Sequence, residues 1–216
     1  MKTFTIVPII LGLIAFLATL IANANDKYTE TMQKNIQSIY AAKTPEEFQA
    51  TINTFERIGE AEKTKWEPYY YAGYGFLIMA IHEKEISKKD ELLDQSLKSI
   101  EKGKTLAANE SELITLEGFV HMIRVSIDPA SRGQKFSGLA MQSFGKSLAL
   151  NPENPRTLAL MAQMQFGTAQ FFGTSTAEAC SMNAKALEKF ESYKSENILA
   201  PRWGKEMAIG FKEKCN

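Results

Sequence analysis

Cysteine, histidine and tryptophan each occur only twice in the 216 residues. The two histidines, His82 and His121, stand far apart with no second His or Cys at ligand spacing, so no zinc-type cluster is available. No Cys-x-x-Cys, Gly-x-Ser-x-Gly or His-Glu-x-x-His pattern occurs, which removes the commonest redox, hydrolase and metalloprotease signatures. Gly145-Lys146-Ser147 matches only the tail of a phosphate-binding loop: Ala140 stands where that loop needs its first glycine, and the segment has helical periodicity. An excess of one charge is missing too. Lys and Arg number 25 and Asp and Glu number 25, so there is no basic footprint for nucleic acid or for an anionic membrane. Beyond the N-terminus no apolar run reaches the ~20 residues needed to cross a bilayer. The expectation is a protein that is not an enzyme, holds no cofactor or metal and does not insert in a membrane.

What is present begins with an address. Lys2 is followed by an apolar run from Phe4 to Ile21 and then by Ala22-Asn23-Ala24. This is the layout of a secretory signal peptide with a cut after Ala24; an uncleaved anchor is the competing reading. Without residues 1–24 the chain keeps 192 residues as one domain, 25–216. Lys2 leaves with the signal, so 24 basic residues then face 25 acidic ones, a net charge of −1. The expected location is secreted or periplasmic.

The rest of the chain carries repeated helix signals. Thr44-Pro45-Glu46-Glu47 offers a hydroxyl cap, a proline at the first helical position and a Glu three residues after the cap. Asn109 with Glu112 and Ser175 with Glu178 repeat the cap-to-Glu spacing before apolar runs. Apolar residues recur at three and four, as in Phe48, Ile52, Phe55 and in Leu93, Leu97, Ile100. The pattern predicts an all-α fold of nine helices near 26–42, 44–58, 63–83, 88–107, 111–127, 134–150, 155–167, 176–192 and 202–214. Asp128 to Gly133 is expected as a loop between two of these helices. Phe166 to Thr176 is expected as a long interhelical loop, pinned by buried Phe171 and Phe172 or open to a ligand.

Cys180 and Cys215 are an even pair in a chain addressed to an oxidising compartment, which predicts a disulfide. If the last two helices form a hairpin turning near Asn197, both cysteines come to the same end.

Ala140, Phe144, Ser147-Leu148 and Pro152, followed by Pro155, Leu158 and Met161-Ala162, resemble a tetratricopeptide repeat, in which small and large apolar residues alternate through two antiparallel helices. The whole also looks like secreted bacterial helical-repeat proteins without an assigned activity. The resemblance implies antiparallel helix pairs stacked as a short α-solenoid, with a concave groove lined by the first helix of each pair and with the Asp128 to Gly133 loop as an insertion. Carried onto this chain, the groove residues are Glu67, Tyr71 and Tyr74, then Thr115, Phe119 and Met122, then Arg156, Ala159, Gln163 and Phe166. Such a groove suits a protein or peptide partner. The crowded rings Trp66, Tyr69, Tyr70, Tyr71 and Tyr74 belong either to this groove or to the core.

A second reading starts from Glu117, His121, Arg124 and Asp128, which fall on one stripe of a helix. With Arg132 they could face a small ligand or serve an envelope enzyme; a solvated edge of charge pairs is the plainer account. A third reading is a structural subunit of an outer-envelope complex.

Overall fold

The computed structural model describes residues 26–215, among which there are nine α-helices and no strand. The expected signal segment and cleavage point lie outside the described residues. Helix α1 covers 26–41, followed by α2 (Pro45–Glu62), α3 (Glu67–His82), α4 (Ile86–Leu106), α5 (Ser111–Ile127), α6 (Pro129–Leu150), α7 (Pro155–Phe172), α8 (Ala177–Ser192) and α9 (Lys205–Lys212). Short connections force neighbouring helices to run antiparallel. The closest packing joins α3 with α4, α5 with α6, and α7 with α8, while α3 touches α5 and α5 touches α7. The first helices of successive pairs therefore form an inner row, α3–α5–α7.

Local chemistry sets the boundaries. Thr44 accepts from the Glu47 N–H while the Glu47 carboxylate accepts from the Thr44 N–H, the reciprocal cap anticipated for α2. Asp128 accepts from the Ser131 N–H and Pro129 opens α6, so the segment expected as an inserted loop is the first turn of a helix. Likewise α7 runs on to Phe172, five residues past its expected end, before Gly173 closes it with φ 65°. At the other end of the chain Gly204, with φ 106°, delays α9 until Lys205, so Trp203 stands outside the expected 202–214 helix.

The main core extends through α1 to α7 and includes Met32, Ile52, Phe55, Leu77, Leu93, Leu116 and Phe144. Phe144 is fully enclosed because Gly118 on α5 has no side chain: a Cβ there would come within 2.5 Å of the Phe144 ring. Of the four apolar positions in the repeat signature, Phe144 and Leu158 are buried, whereas Leu148 and Met161 are half-buried. A smaller core joins Phe166, Ala179 and Phe211 beside the bond between Cys180 and Cys215, whose Cα atoms lie 5.6 Å apart. The disulfide ties α8 to the C-terminal turn that follows α9.

Candidate functional site

Between α8 and α9 the chain leaves helical structure from Tyr193 to Gly204 and crosses the inner row as a strap. Pro201 is incompatible with a continuing helix. The Asn197 side chain turns the segment by accepting from the Leu199 N–H at 2.9 Å. The strap reaches α3 through Asn197 Nδ2 to Glu67 Oε1 at 3.2 Å and through the Tyr71 hydroxyl, which donates to the Leu199 carbonyl at 2.6 Å. Trp203 donates from Nε1 to the Tyr70 hydroxyl at 2.8 Å and stacks between Tyr74 of α3 and Phe119 of α5, with centroids 5.7 and 5.6 Å away. The Arg202 N–H donates to the Tyr40 hydroxyl of α1 at 3.2 Å. Gly204 passes so close to α7 and α8 that a Cβ would meet Arg156 and Phe190, each at 3.0 Å. Burial raises the pKa values of Tyr70, Tyr71 and Tyr74, which keeps these phenols neutral as hydrogen-bonding groups.

Beneath the strap lies a buried ion pair. Arg156, 1% exposed, donates from its Nε to Glu112 Oε2 at 2.8 Å and from its Nη2 to Glu112 Oε1 at 2.7 Å. Asn154 Nδ2 donates to the same Oε1 at 2.8 Å, while Asn154 Oδ1 caps α7 by accepting from the N–H groups of Arg156 and Thr157. The Tyr193 ring covers the guanidinium at 4.7 Å. Arg156 is thus neutralised from below and roofed by an aromatic ring from above.

Beside this roof the strap and α8 border an open cleft of about 550 Å³. Its walls are mixed: Phe190, Tyr193, Ile198, Ala200 and Pro201 alternate with the polar or charged Arg156, Ser195, Glu196, Asn197, Arg202 and Lys205. Its volume falls within the ~300–1,000 Å³ of small-molecule sites. Since Glu112 satisfies Arg156, the cations left to meet a ligand's acid groups are Arg202 and Lys205, with Glu196 the acidic group on the wall. Lys205 also reaches Glu191 at 2.9 Å, an exposed pair and hence a weak one.

The residues expected to line one groove divide into groups. Glu67, Tyr71, Tyr74 and Phe119 converge on the strap and are buried beneath it. Met122 is half-buried against the main core. Arg156 forms the cleft floor. Thr115 lies within a buried hydroxyl cluster, 2.8 Å from Ser147 Oγ and 2.6 Å from Thr157 Oγ1. Ala159 packs with Ala186 and Ala208, and Phe166 packs edge-on against Phe211 at 5.0 Å. Gln163 is half-buried, with its Nε2 enclosed. Of the crowded rings, Tyr70, Tyr71 and Tyr74 are core, while Trp66 and Tyr69 are half-buried.

The polar stripe on α5 makes interhelix ion pairs. Glu117 meets Lys104 at 3.1 Å, Arg124 meets Asp94 and Asp90, Arg132 clamps Asp90 with two bonds of 2.7 and 2.8 Å, and Asp128 caps α6. Arg132 reaches Asp90 from the first turn of α6. His121 stacks on Phe136 at 6.1 Å, and burial lowers its pKa. Among the described residues no group of three or more His, Cys, Asp or Glu side chains is arranged to hold a metal ion.

No family model matches the chain, and no curated protein matches it in sequence. Among solved structures, the HusA haemophore from Porphyromonas gingivalis is similar with a TM-score of 0.78 at 25% identity, covering 88% of this chain and 92% of that one. A thermophilic tetratricopeptide protein of Thermus thermophilus, TTC0263, aligns with a TM-score of 0.47 at 14% identity, covering 87% of this chain and 98% of that one. The fold is an all-α array of antiparallel helix pairs. Its antiparallel pairs and inner row are those the Ala140–Ala162 motif implied.

Sequence reasoning did not find the strap, Glu112 as a buried ion, or the cleft. Trp203 was the available signal: a lone tryptophan two residues after a proline in a weakly helical stretch calls for a burial site elsewhere in the fold.

Proposed function

We propose that this protein is a non-enzymatic binding protein working outside the cytoplasm, and that the cleft beside the strap takes a flat apolar acid of the porphyrin class. The observation that carries the reading is the cleft itself: a wall of mixed character at a suitable volume, in which Phe190, Tyr193, Ile198 and Pro201 offer apolar and aromatic surface and Arg202 and Lys205 can meet carboxylates. The likeness to a haemophore supports it, because a haem carrier must enclose a large apolar ring with two acid groups. The disulfide suits an oxidising compartment and supports export. Ring stacking and burial would supply affinity, and the two cations would set the orientation.

Titrating the protein with haemin and with iron-free protoporphyrin, followed by their visible absorbance, tests this reading. Saturable binding that weakens by about tenfold or more in Arg202→Glu/Lys205→Glu supports it. No saturable change, or full affinity in the double variant, overturns it.

A second reading has its own observation. Helix α3 of the inner row already holds a non-helical, turned peptide, the chain's own Asn197–Trp203, through hydrogen bonds from or to Glu67, Tyr70 and Tyr71. A protein partner would then bind by replacing the strap with a segment of similar chemistry. Rapid amide exchange at Leu199 and Trp203, brought on by a partner, would favour this reading over the porphyrin one.

A further inference from the structure

We propose that Phe171 and Phe172, at the end of α7, form an anchor that seats the folded protein on an uncharged lipid surface. Each ring is 71% exposed, well beyond any other large apolar side chain among the described residues, the next being Ile86 at 55%. The rings sit edge to face with centroids 5.1 Å apart. Their backbone is firmly set: Gly173 ends the helix in the left-handed conformation, and the Thr174 N–H returns to the Ala169 carbonyl at 2.8 Å. The expectation that these rings pin a loop from within is ruled out by their exposure.

Size and charge select the occupant. Two phenylalanines so exposed offer roughly 280 Å² of apolar surface, whereas a stable protein interface needs about 800 Å² from each partner. That area is too small to hold a second copy or another protein by itself, but two rings are enough to enter the boundary between headgroups and acyl chains. No charged residue occurs from Phe166 to Ala177, and the tip is fringed by the polar groups Thr168, Gln170, Thr174 and Ser175. Behind it, the charged group lining the adjacent hollow is Glu178. An uncharged fringe backed by a carboxylate gives anionic lipid no advantage, so attachment rests on the rings alone. This is contact at the interface, not a span: no described helix is long and apolar enough to cross a membrane.

Flotation of the mature protein with vesicles of phosphatidylcholine alone, and with vesicles that also contain phosphatidylserine, tests the proposal at low and high salt. The expected result is equal flotation with both, insensitive to salt, and lost by about tenfold or more in Phe171→Ser/Phe172→Ser. Phe171→Trp/Phe172→Trp should keep it, with a blue-shifted emission on vesicles. Melting of the Ser variant, unchanged because the rings are exposed, shows that its fold is intact. Absence of flotation, equal flotation of the Ser variant, or binding confined to anionic vesicles would overturn the proposal. So would a wild-type dimer in sedimentation that becomes monomeric in the Ser variant. None of these outcomes depends on what the cleft binds.

Discussion

Replacing Glu112 with Ala removes the acceptor of three hydrogen bonds, two from Arg156 and one from Asn154. It leaves a guanidinium that is 1% exposed with no counter-charge. Water cannot solvate it without opening the junction of α5, α7 and the strap. Breaking a buried ion pair from one side costs about 3–5 kcal/mol. For a domain of this length each kcal/mol moves the melting temperature by about 2–4 °C, so Glu112→Ala should melt about 6–20 °C lower. The control is Glu112→Leu/Arg156→Leu, which removes both charges and keeps apolar volume; replacements of this kind are often neutral or stabilising. Circular-dichroism melts of wild type, single and double variants provide the comparison. A fall of less than about 3 °C in Glu112→Ala would show that the pair is not desolvated. A double variant as unstable as the single one would show that the uncompensated charge is not the source of the cost.

Other consequences can be checked separately. Gly118→Ala drives a Cβ into the Phe144 ring and should cost about 1–3 kcal/mol in a urea titration, a cost that Gly118→Ala/Phe144→Leu should partly restore. Cys180→Ser/Cys215→Ser opens a loop of sequence separation 35 and should lose about 3–4 kcal/mol on the chain-entropy account; reduction of the wild type should lower its melting temperature by a matching amount. His121 has its pKa lowered by burial, so the folded state binds the proton less readily than the unfolded chain. Its contribution is therefore fully present above the unfolded value of about 6.5 and is lost as the pH falls below it. Melting temperature followed from pH ~7.5 down to ~5 should fall more in wild type than in His121→Gln, and parallel curves would count against the burial.

Much of the architecture is local and so could be read from the chain. The cap at Thr44 and the Ala140–Ala162 motif each depend on residues within a few turns, and the pairing of Cys180 with Cys215 depends on the last two helices lying side by side. The start of α6 was legible in Asp128-Pro129 as well, but the small residues after it read as loop. Their helix is held by Arg132 reaching Asp90, 42 positions away. The α5 stripe could be read as one face of a helix, yet its partners Asp90, Asp94 and Lys104 come from α4 and Asp128 caps α6. The strap was the least legible part. It has no period, and its anchors to Tyr71 and Tyr70 span 128 and 133 positions. Glu112 read as a helix-capping acid because a carboxylate in a first turn is usually solvated; only the stacking of α7 on α5 buries it against Arg156.

The most direct measurement of the central claim is a map of where a porphyrin touches the protein, from amide and side-chain chemical shifts of the labelled mature chain titrated with iron-free protoporphyrin. The account predicts that the resonances that move belong to Phe190, Tyr193, Ile198, Arg202 and Lys205, with the Trp203 indole still bonded to Tyr70. Shifts clustered on the α4–α5–α6 stripe around His121, or no shifts at porphyrin concentrations that saturate a micromolar site, would contradict it.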